Sequence, residues 1–202
     1  MSITRAKTSS IALGPATNKN ILAGNPVILG GSYESIQTVT LTGTQASIEF
    51  TSIPATYSHL QIRLLARSNR AAVVNDSLHL QFNSDTGSTY DDHYLVGDGS
   101  GTPGSAAENS VANITLYRIT GAGAGTNTFG ASVIDILDYK NTNKYKTVRA
   151  LTGGDNNGTG RISLGSGLWR NQTDAITSIK LFPNNGSSSF VQYSSFALYG
   201  IK

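Results

Sequence analysis

The sequence predicts an all-β protein, an antiparallel sandwich or barrel preceded by an extended arm. Short alternating apolar runs follow one another from Ile36 onward and are separated by Gly, Asn, Asp, Ser and Pro clusters, which is typical of serial strands. Amphipathic helical periodicity is weak throughout, and the best candidate is one or two turns over residues 69–76. The 202 residues suffice for one substantial core, and a charged fraction of 13% predicts a surface rich in hydroxyl, amide and glycine groups.

Residues 1–35 form the predicted arm, and residues 36–202 the predicted domain. No aromatic residue precedes Tyr33 and no acidic residue precedes Glu34, so the composition of the arm differs from that of the remainder. Small and polar residues with scattered aliphatic ones cannot build a core alone, so the arm is expected to pack on its own domain or, by edge-strand addition, on a partner. The aliphatic residues expected to anchor it are Ile3, Ile11, Leu13, Ile21, Leu22, Val27, Ile28 and Leu29.

The alternation of apolar and polar residues is clearest in two candidate strands. In residues 59–67 the predicted inward set is Leu60, Ile62, Leu64 and Ala66. In residues 77–82 it is Leu78, Leu80 and Phe82, with His79 and Gln81 outward. The other candidates, which bring the total to about ten, are residues 36–42, 46–53, 110–119, 129–139, 145–151, 160–169, 175–182 and 190–201. Residues 85–110 and 120–127 read as long linkers, which in a compact domain are usually functional or lie at an interface.

The segment DILDYKNTNKYKTVRAL, residues 135–151, predicts a hairpin in which Tyr139 faces Tyr145 across the loop 140–144. This register also fixes the remaining pairs, which are Asp138–Lys146, Leu137–Thr147, Ile136–Val148, Asp135–Arg149 and Ile134–Ala150. Opposite charges and an aromatic pair in register stabilise such a hairpin, and a slip by one residue would move them to the wrong faces. The loop is therefore interpreted as a turn rather than as a binding loop.

Few residues offer metal or thiol chemistry. The chain has no Cys, which excludes disulfides, thiolate zinc sites and thiol catalysis. His59 and His79 are predicted to be surface residues. The richest group of potential metal ligands is His93 with Asp91, Asp92 and Asp98. No metal is predicted there, because adjacent strand residues point to opposite sides and the spacing of a calcium loop is missing. Residues 153–160, rich in Gly and Asn, are interpreted as a hairpin turn.

Other catalytic and binding motifs are also missing from the sequence. It contains no G-x-S-x-G elbow, and GAGAG at residues 121–125 neither leads into a helix nor ends in a phosphate-loop lysine. No pair of carboxylates is singled out for glycoside hydrolysis. The 15 Lys and Arg residues are scattered, which does not favour nucleic-acid binding. No apolar run is long enough for a membrane span or a signal sequence. The sequence thus predicts neither catalytic residues nor a cofactor.

Aromatic side chains offer two readings that the sequence leaves open. Trp169 ends a candidate strand next to Arg170, and its ring belongs either to the core or a subunit interface, or to a platform that stacks on sugar rings. The tyrosines that could extend such a surface are Tyr90, Tyr94, Tyr139 and Tyr145.

Several separated blocks of the sequence resemble small virion structural proteins of tailed bacteriophages, the tail, fibre and decoration proteins. The blocks are SIPATYSHLQIRLLARS from Ser52, YDDHYLVGDGS from Tyr90, VIDILDYKNTNKYKTVRAL from Val133, LGSGLWRN from Leu164 and FVQYSSFALYGIK from Phe190. The resemblance runs from about Ile36 to Lys202 and leaves the arm outside. It implies a jelly-roll-like sandwich in a phage particle and implies no catalytic activity.

The expected function is therefore that of a virion structural component. It would assemble with other virion proteins through its arm and its sandwich faces, as a homo-oligomer for which a trimer is the first expectation. The alternative is a module that recognises host-surface polysaccharide through Trp169 and the tyrosines. A polysaccharide-degrading enzyme is the least favoured hypothesis.

Overall fold

A computed structural model describes residues 31–156 and 158–202 of the protein. These residues form strands, turns and one short 3-10 helix, Asn184–Gly186, and they include no apolar helix that could cross a membrane. The predicted anchor residues of the arm, Ile3 to Leu29, lie outside this part of the chain.

Fourteen strands follow one another in the described residues. They are β1 (Tyr33–Thr40), β2 (Ile48–Phe50), β3 (His59–Ala66), β4 (Asn75–Asp76), β5 (Leu78–Phe82), β6 (Tyr90–Gly97), β7 (Gly104–Val111), β8 (Ile114–Thr115), β9 (Ile119–Thr120), β10 (Gly130–Leu137), β11 (Lys146–Asp155), β12 (Gly160–Trp169), β13 (Ile179–Pro183) and β14 (Ser195–Ile201).

Two antiparallel sheets pack as a sandwich, so the predicted fold class is confirmed. The large sheet has the order β1-β14-β3-β10-β11-β12-β6-β7 and the small sheet the order β2-β13-β5-β8, while β4 and β9 form a separate ribbon. Without the two hairpins β6–β7 and β11–β12, the large sheet reads β1-β14-β3-β10. The chain then crosses from one sheet to the other at each step apart from the turn between β5 and β8, which is the connectivity of a jelly roll. The two hairpins widen the large sheet on one side.

The core lies between the sheets, where alternate residues of each strand meet. The inward residues predicted for β3 are buried, with Leu60 and Ile62 fully enclosed. Ile134 and Ile136 of β10 face Val148 and Ala150 of β11 on the same buried side. These strands behave as the period of two predicts, because one face of each is covered by the small sheet.

The predicted hairpin forms, but its last two pairs were wrong. The pairs from Leu137–Thr147 to Ile134–Ala150 are those of the structure. Asp138 has a φ of +49°, which ends the strand alternation and turns Tyr139 into the core, whereas Tyr145 stays 45% exposed. Lys146 is buried rather than at the rim: it pairs with Trp169 of β12, and Asp138 pairs instead with Lys144.

His79 and Gln81 are buried, although the sequence predicted them outward. β5 lies inside the small sheet, between β13 and β8, and other groups cover its outer side. The ring of His79 stacks on Phe182 with centroids 5.5 Å apart. Gln81 Nε2 donates a hydrogen bond to the Ala112 carbonyl at 2.9 Å. Polar alternates in a strand are thus buried when loops pack over the second face.

Two further predictions are corrected. Residues 85–110, predicted as a linker, contain the hairpin of β6 and β7. Residues 69–76, the helical candidate, form a turn and then β4, whose Asp76 is tied to Ser68 and Arg70. The turn predicted for residues 153–160 is confirmed, with Gly158 at a φ of +107°.

Candidate interaction surface

Trp169 and Tyr90 lie in the core and form no ligand platform. Trp169 is 1% exposed and Tyr90 is fully buried, and their rings lie 6.4 Å apart. The Trp169 indole donates a hydrogen bond to Asp85 Oδ2 at 2.8 Å, while the ring of Phe82 packs beside it at 5.5 Å. The structure supports the interpretation of Trp169 as a core residue, because the alternation of side chains along β12 directs it between the sheets.

The other four predicted contact residues are spread over different places. Tyr139 is buried and its hydroxyl donates to the Pro54 carbonyl. Tyr94 stacks on Tyr117, and the Arg170 guanidinium bridges Ser88 and Ser110, whereas Tyr145 is exposed near the hairpin loop. These side chains therefore do not combine into one aromatic surface.

The group of potential metal ligands around His93, where no metal was predicted, is split between the two faces of β6. His93 is exposed on the outer face, whereas Asp92 is fully buried on the inner face. No group of three or more His, Asp or Glu residues able to hold a metal occurs in the described part of the chain.

Asp92 lies beside a polar crevice of about 450 Å³ lined by residues in and next to β5, β7 and β8. The residues that line this crevice are Ser77, His79, Glu108, Val111, Ala112, Asn113, Thr115 and Tyr117. Burial, together with the neighbouring Glu108 carboxylate, raises the pKa of Asp92 to about 6, although a hydrogen bond from Thr115 N–H opposes this shift. Burial lowers the pKa of His79, which favours the neutral ring. The neutral ring interacts with Asn113 and Ser77.

A larger feature is the outer face of the large sheet, where apolar side chains lie directly opposite one another on four adjacent strands. Val133 pairs with Leu151, Leu151 with Leu164, and Leu164 with Leu95. Leu65 and Ile162 lie in the neighbouring row. We call these six residues the apolar patch: each is between 39% and 57% exposed. Antiparallel sheets that face water normally carry polar side chains there, so this face departs from the usual pattern.

Small residues next to the apolar patch create two grooves. The first, of about 530 Å³, runs over Ala131, Gly153 and Ala197 between Leu65 and Leu151. The second, of about 590 Å³, runs over Ser105, Ala107 and Ser166 beside Leu95 and Leu164. Large and small side chains thus alternate across the face as ridges and grooves.

The charged groups of this face are engaged with one another. Arg149 Nη2 lies 2.8 Å from Asp135 Oδ2, and Gln61 Nε2 donates to Asp135 Oδ1 at 2.7 Å. Burial opposes ionisation of Asp135, but its partners, mainly Arg149 and Gln61, more than offset this and lower its pKa. Arg63 donates to Gln61 and lies over the rings of Tyr33 and Tyr199. What this face offers a partner is therefore mainly apolar contact.

The apolar patch was not predicted from the sequence, although the sequence of β12 contains a signal for it. In β12 the residues that share the parity of buried Trp169 are Arg161, Ser163, Gly165 and Gly167, so the large apolar Ile162 and Leu164 must point outward. Once Trp169 is assigned to the core, the glycines mark the inner side of this strand.

Comparisons of the chain with protein-family models, with curated proteins and with solved structures gave no significant match.

Proposed function

We propose that the protein is a structural component of a tailed-bacteriophage particle that assembles through its sandwich faces and its N-terminal arm. The observation that carries the proposal is the apolar patch, because four strands present directly paired aliphatic side chains to solvent. Exposed apolar surface of this extent marks an interaction site in soluble proteins.

Two further features support an assembly role. The resemblance of five sequence blocks to phage virion structural proteins suggests the particle, and the jelly-roll connectivity suits the fold that this resemblance implies. The low charged fraction of 13% is compatible with a protein whose surfaces pack against other proteins. The proposed partners are further copies of the chain, with a trimer as the first expectation, and other virion proteins. The role requires no catalysis.

Recognition of host polysaccharide through Trp169 is the weaker alternative. Trp169, Tyr90 and Tyr139 are buried, so the aromatic platform on which that hypothesis depended is not available in this fold.

Complementation of a phage that lacks this gene tests the proposal. Particles grown with the full-length chain supplied in trans are purified and analysed by mass spectrometry, and the chain is expected in stoichiometric amounts. A variant without Met1–Gly31 is expected to fold but not to enter particles. Purified particles that assemble normally and contain none of the full-length chain would overturn the proposed function.

A further inference from the structure

We propose that the outer face of the large sheet binds the same face of another copy of this chain, with the apolar patch at the centre of the contact. The inference deepens the proposed function and rests on it, because it names the partner that the face takes in the assembly.

The apolar patch favours contact with another surface, because it exposes a continuous apolar row to water. The four directly paired residues of the patch span β10, β11, β12 and β6, so the apolar row extends about 14 Å across the sheet. Leu65 and Ile162 widen it by one further row. Water contact with such a row is unfavourable, and mutual burial removes it from both surfaces at once.

The area of the outer sheet face also fits a second copy of the chain. Eight strands of about eight residues give the sheet a face of about 900 Å², and a standard interface buries about 800 Å² on each partner. One copy of the same face therefore provides a surface of matching size and flatness. Two sheet faces pack about 10 Å apart with interdigitating side chains, which is the geometry already present inside this sandwich.

The outer sheet faces of two copies are also complementary in shape and charge. The ridge formed by Leu95 and Leu164 can enter the groove over Ala131 and Gly153 of another copy. The neighbouring Asp135–Arg149 pair carries both signs, so two copies meet without an uncompensated block of like charge. A strongly charged partner such as nucleic acid would instead require a cluster of free cations on this face.

Light scattering on the full-length protein tests the proposal. A contact between identical faces is two-fold, so the wild type, at about 20 µM, is expected to have the mass of two 21.2-kDa chains, or of an even number of chains if the arm adds a second contact. Leu151→Glu and Leu164→Glu each place a charge in the contact and are expected to weaken association about tenfold or more, which lowers the average mass in a dilution series towards that of one chain at concentrations where the wild type is still paired. Thr44→Glu, on an exposed loop between β1 and β2, is the matched control and should leave the mass unchanged. Circular dichroism checks that each variant is folded.

Single-cysteine cross-linking gives an independent readout, since the chain has no Cys of its own. Leu151→Cys and Leu164→Cys, mixed and treated with a mild oxidant, should form disulfide-linked dimers at least tenfold faster than Glu49→Cys on the small sheet. A wild type with the mass of one chain would overturn the proposal, whether residues 1–30 or another protein covers the face. An oligomer unaffected by both Glu variants and not cross-linked would also overturn it. Neither result affects detection of the chain in particles, so failure of this inference is separable from failure of the proposed function.

Discussion

Single residues decide where the alternation of inward and outward side chains along a strand ends, and Asp138 is the clearest example. Strand alternation from Ile136 would place Tyr139 on the outer side with Tyr145, but the left-handed backbone of Asp138 reverses it. Asp is among the few non-glycine residues that adopt such a φ readily. The buried Tyr139 then receives a hydrogen bond from Tyr57 N–H at 3.4 Å and donates one to the Pro54 carbonyl.

We predict that Tyr139→Phe lowers the free energy of unfolding by about 1–2 kcal/mol, because it removes the partner of both groups. Tyr145→Phe, in the same hairpin but 45% exposed, is the control and should change it by less than about 0.5 kcal/mol. Urea denaturation followed by Trp169 fluorescence measures both. Equal effects of the two variants would contradict the assignment of Tyr139 to the core.

The buried carboxyl group of Asp92 makes the stability of the fold depend on pH. Its Oδ2 accepts a hydrogen bond from Thr115 N–H, whereas its Oδ1 has no partner among the described residues. Since its folded pKa of about 6 lies above the value of about 3.8 for an exposed Asp, folding penalises the ionised form. This penalty is fully present above pH 6 and disappears as the pH falls through the window from about 6 to about 4.

Asp92→Asn should therefore gain stability relative to wild type as the pH rises. The difference in unfolding free energy, variant minus wild type, is expected to be about 1–3 kcal/mol more favourable at pH 7.5 than at pH 4. Asp135→Asn serves as a control whose difference from wild type should stay nearly constant between pH 7.5 and pH 4 and change, with opposite sign, only at lower pH. The lowered pKa of Asp135 means that its ionised form stabilises the fold above about pH 4, and that this contribution is lost as the pH falls further. A pH-independent difference for Asp92→Asn would refute the buried, ionisable state of Asp92.

At the scale of elements, the alternation of apolar and polar residues correctly predicted the strands that have one covered and one exposed face. It failed for strands whose two faces are both exposed or both covered. β3 and the β10–β11 pairing follow from alternation because polar and apolar residues are sorted between core and solvent. β7, GSAAENSV, is an edge strand that is exposed along nearly its whole length, so no apolar alternation marks it and residues 85–110 read as a linker. In β5 both faces are covered, so His79 and Gln81 gave a misleading polar signal.

The candidate surface escaped prediction for a related reason. Both faces of β10 and β11 carry aliphatic residues, whereas those of β12 all lie on one face, and the sequence alone does not state which face is covered by the small sheet. Trp169 and the glycines of β12 settle this once the register is known, because Ile114 of β8 packs against Gly167 on the glycine side.

The glycine side of β12 provides a test of this packing. A Cβ on Gly167 would lie 2.5 Å from Ile114 Cγ2, whereas a Cβ on Gly165 would meet nothing closer than the His93 carbonyl at 3.9 Å. Gly167→Ala is therefore expected to destabilise the fold by about 1–3 kcal/mol through overpacking. Gly165→Ala, two residues away on the same side, should be neutral or slightly stabilising, since alanine restricts the unfolded chain. Urea denaturation compares them, and a Gly167→Ala variant as stable as Gly165→Ala would show that β8 does not lie over this strand.

At the scale of the whole molecule, the unequal sheets separate a folding core from a surface for contact. The jelly-roll part of the large sheet consists of β1, β14, β3 and β10, and the two added hairpins widen this sheet, with β8 of the small sheet in contact with β12 and β6. The extension carries most of the apolar patch, with Leu95, Leu151, Ile162 and Leu164 on β6, β11 and β12. The inner faces of these strands supply core residues such as Val148 and Trp169, and their outer faces add surface for contact.

The same division predicts how the chain tolerates loss of its N-terminal segment. Among the described residues, the first member of the buried core is Leu41, and the partly buried Ile36 and Val39 are the earliest hydrophobic side chains that pack against it. β1 begins at Tyr33 and pairs with β14, and Ser32 accepts a hydrogen bond from Lys202 N–H. A chain without Met1–Gly31 therefore retains every one of these contacts, and its free energy of unfolding should lie within about 1 kcal/mol of the full-length value. Urea denaturation followed by Trp169 fluorescence measures this, with both proteins at one concentration because association would shift the apparent stability. A truncated chain that is unfolded, or several kcal/mol less stable, would show that residues before Ser32 belong to the sandwich and are not a separate arm.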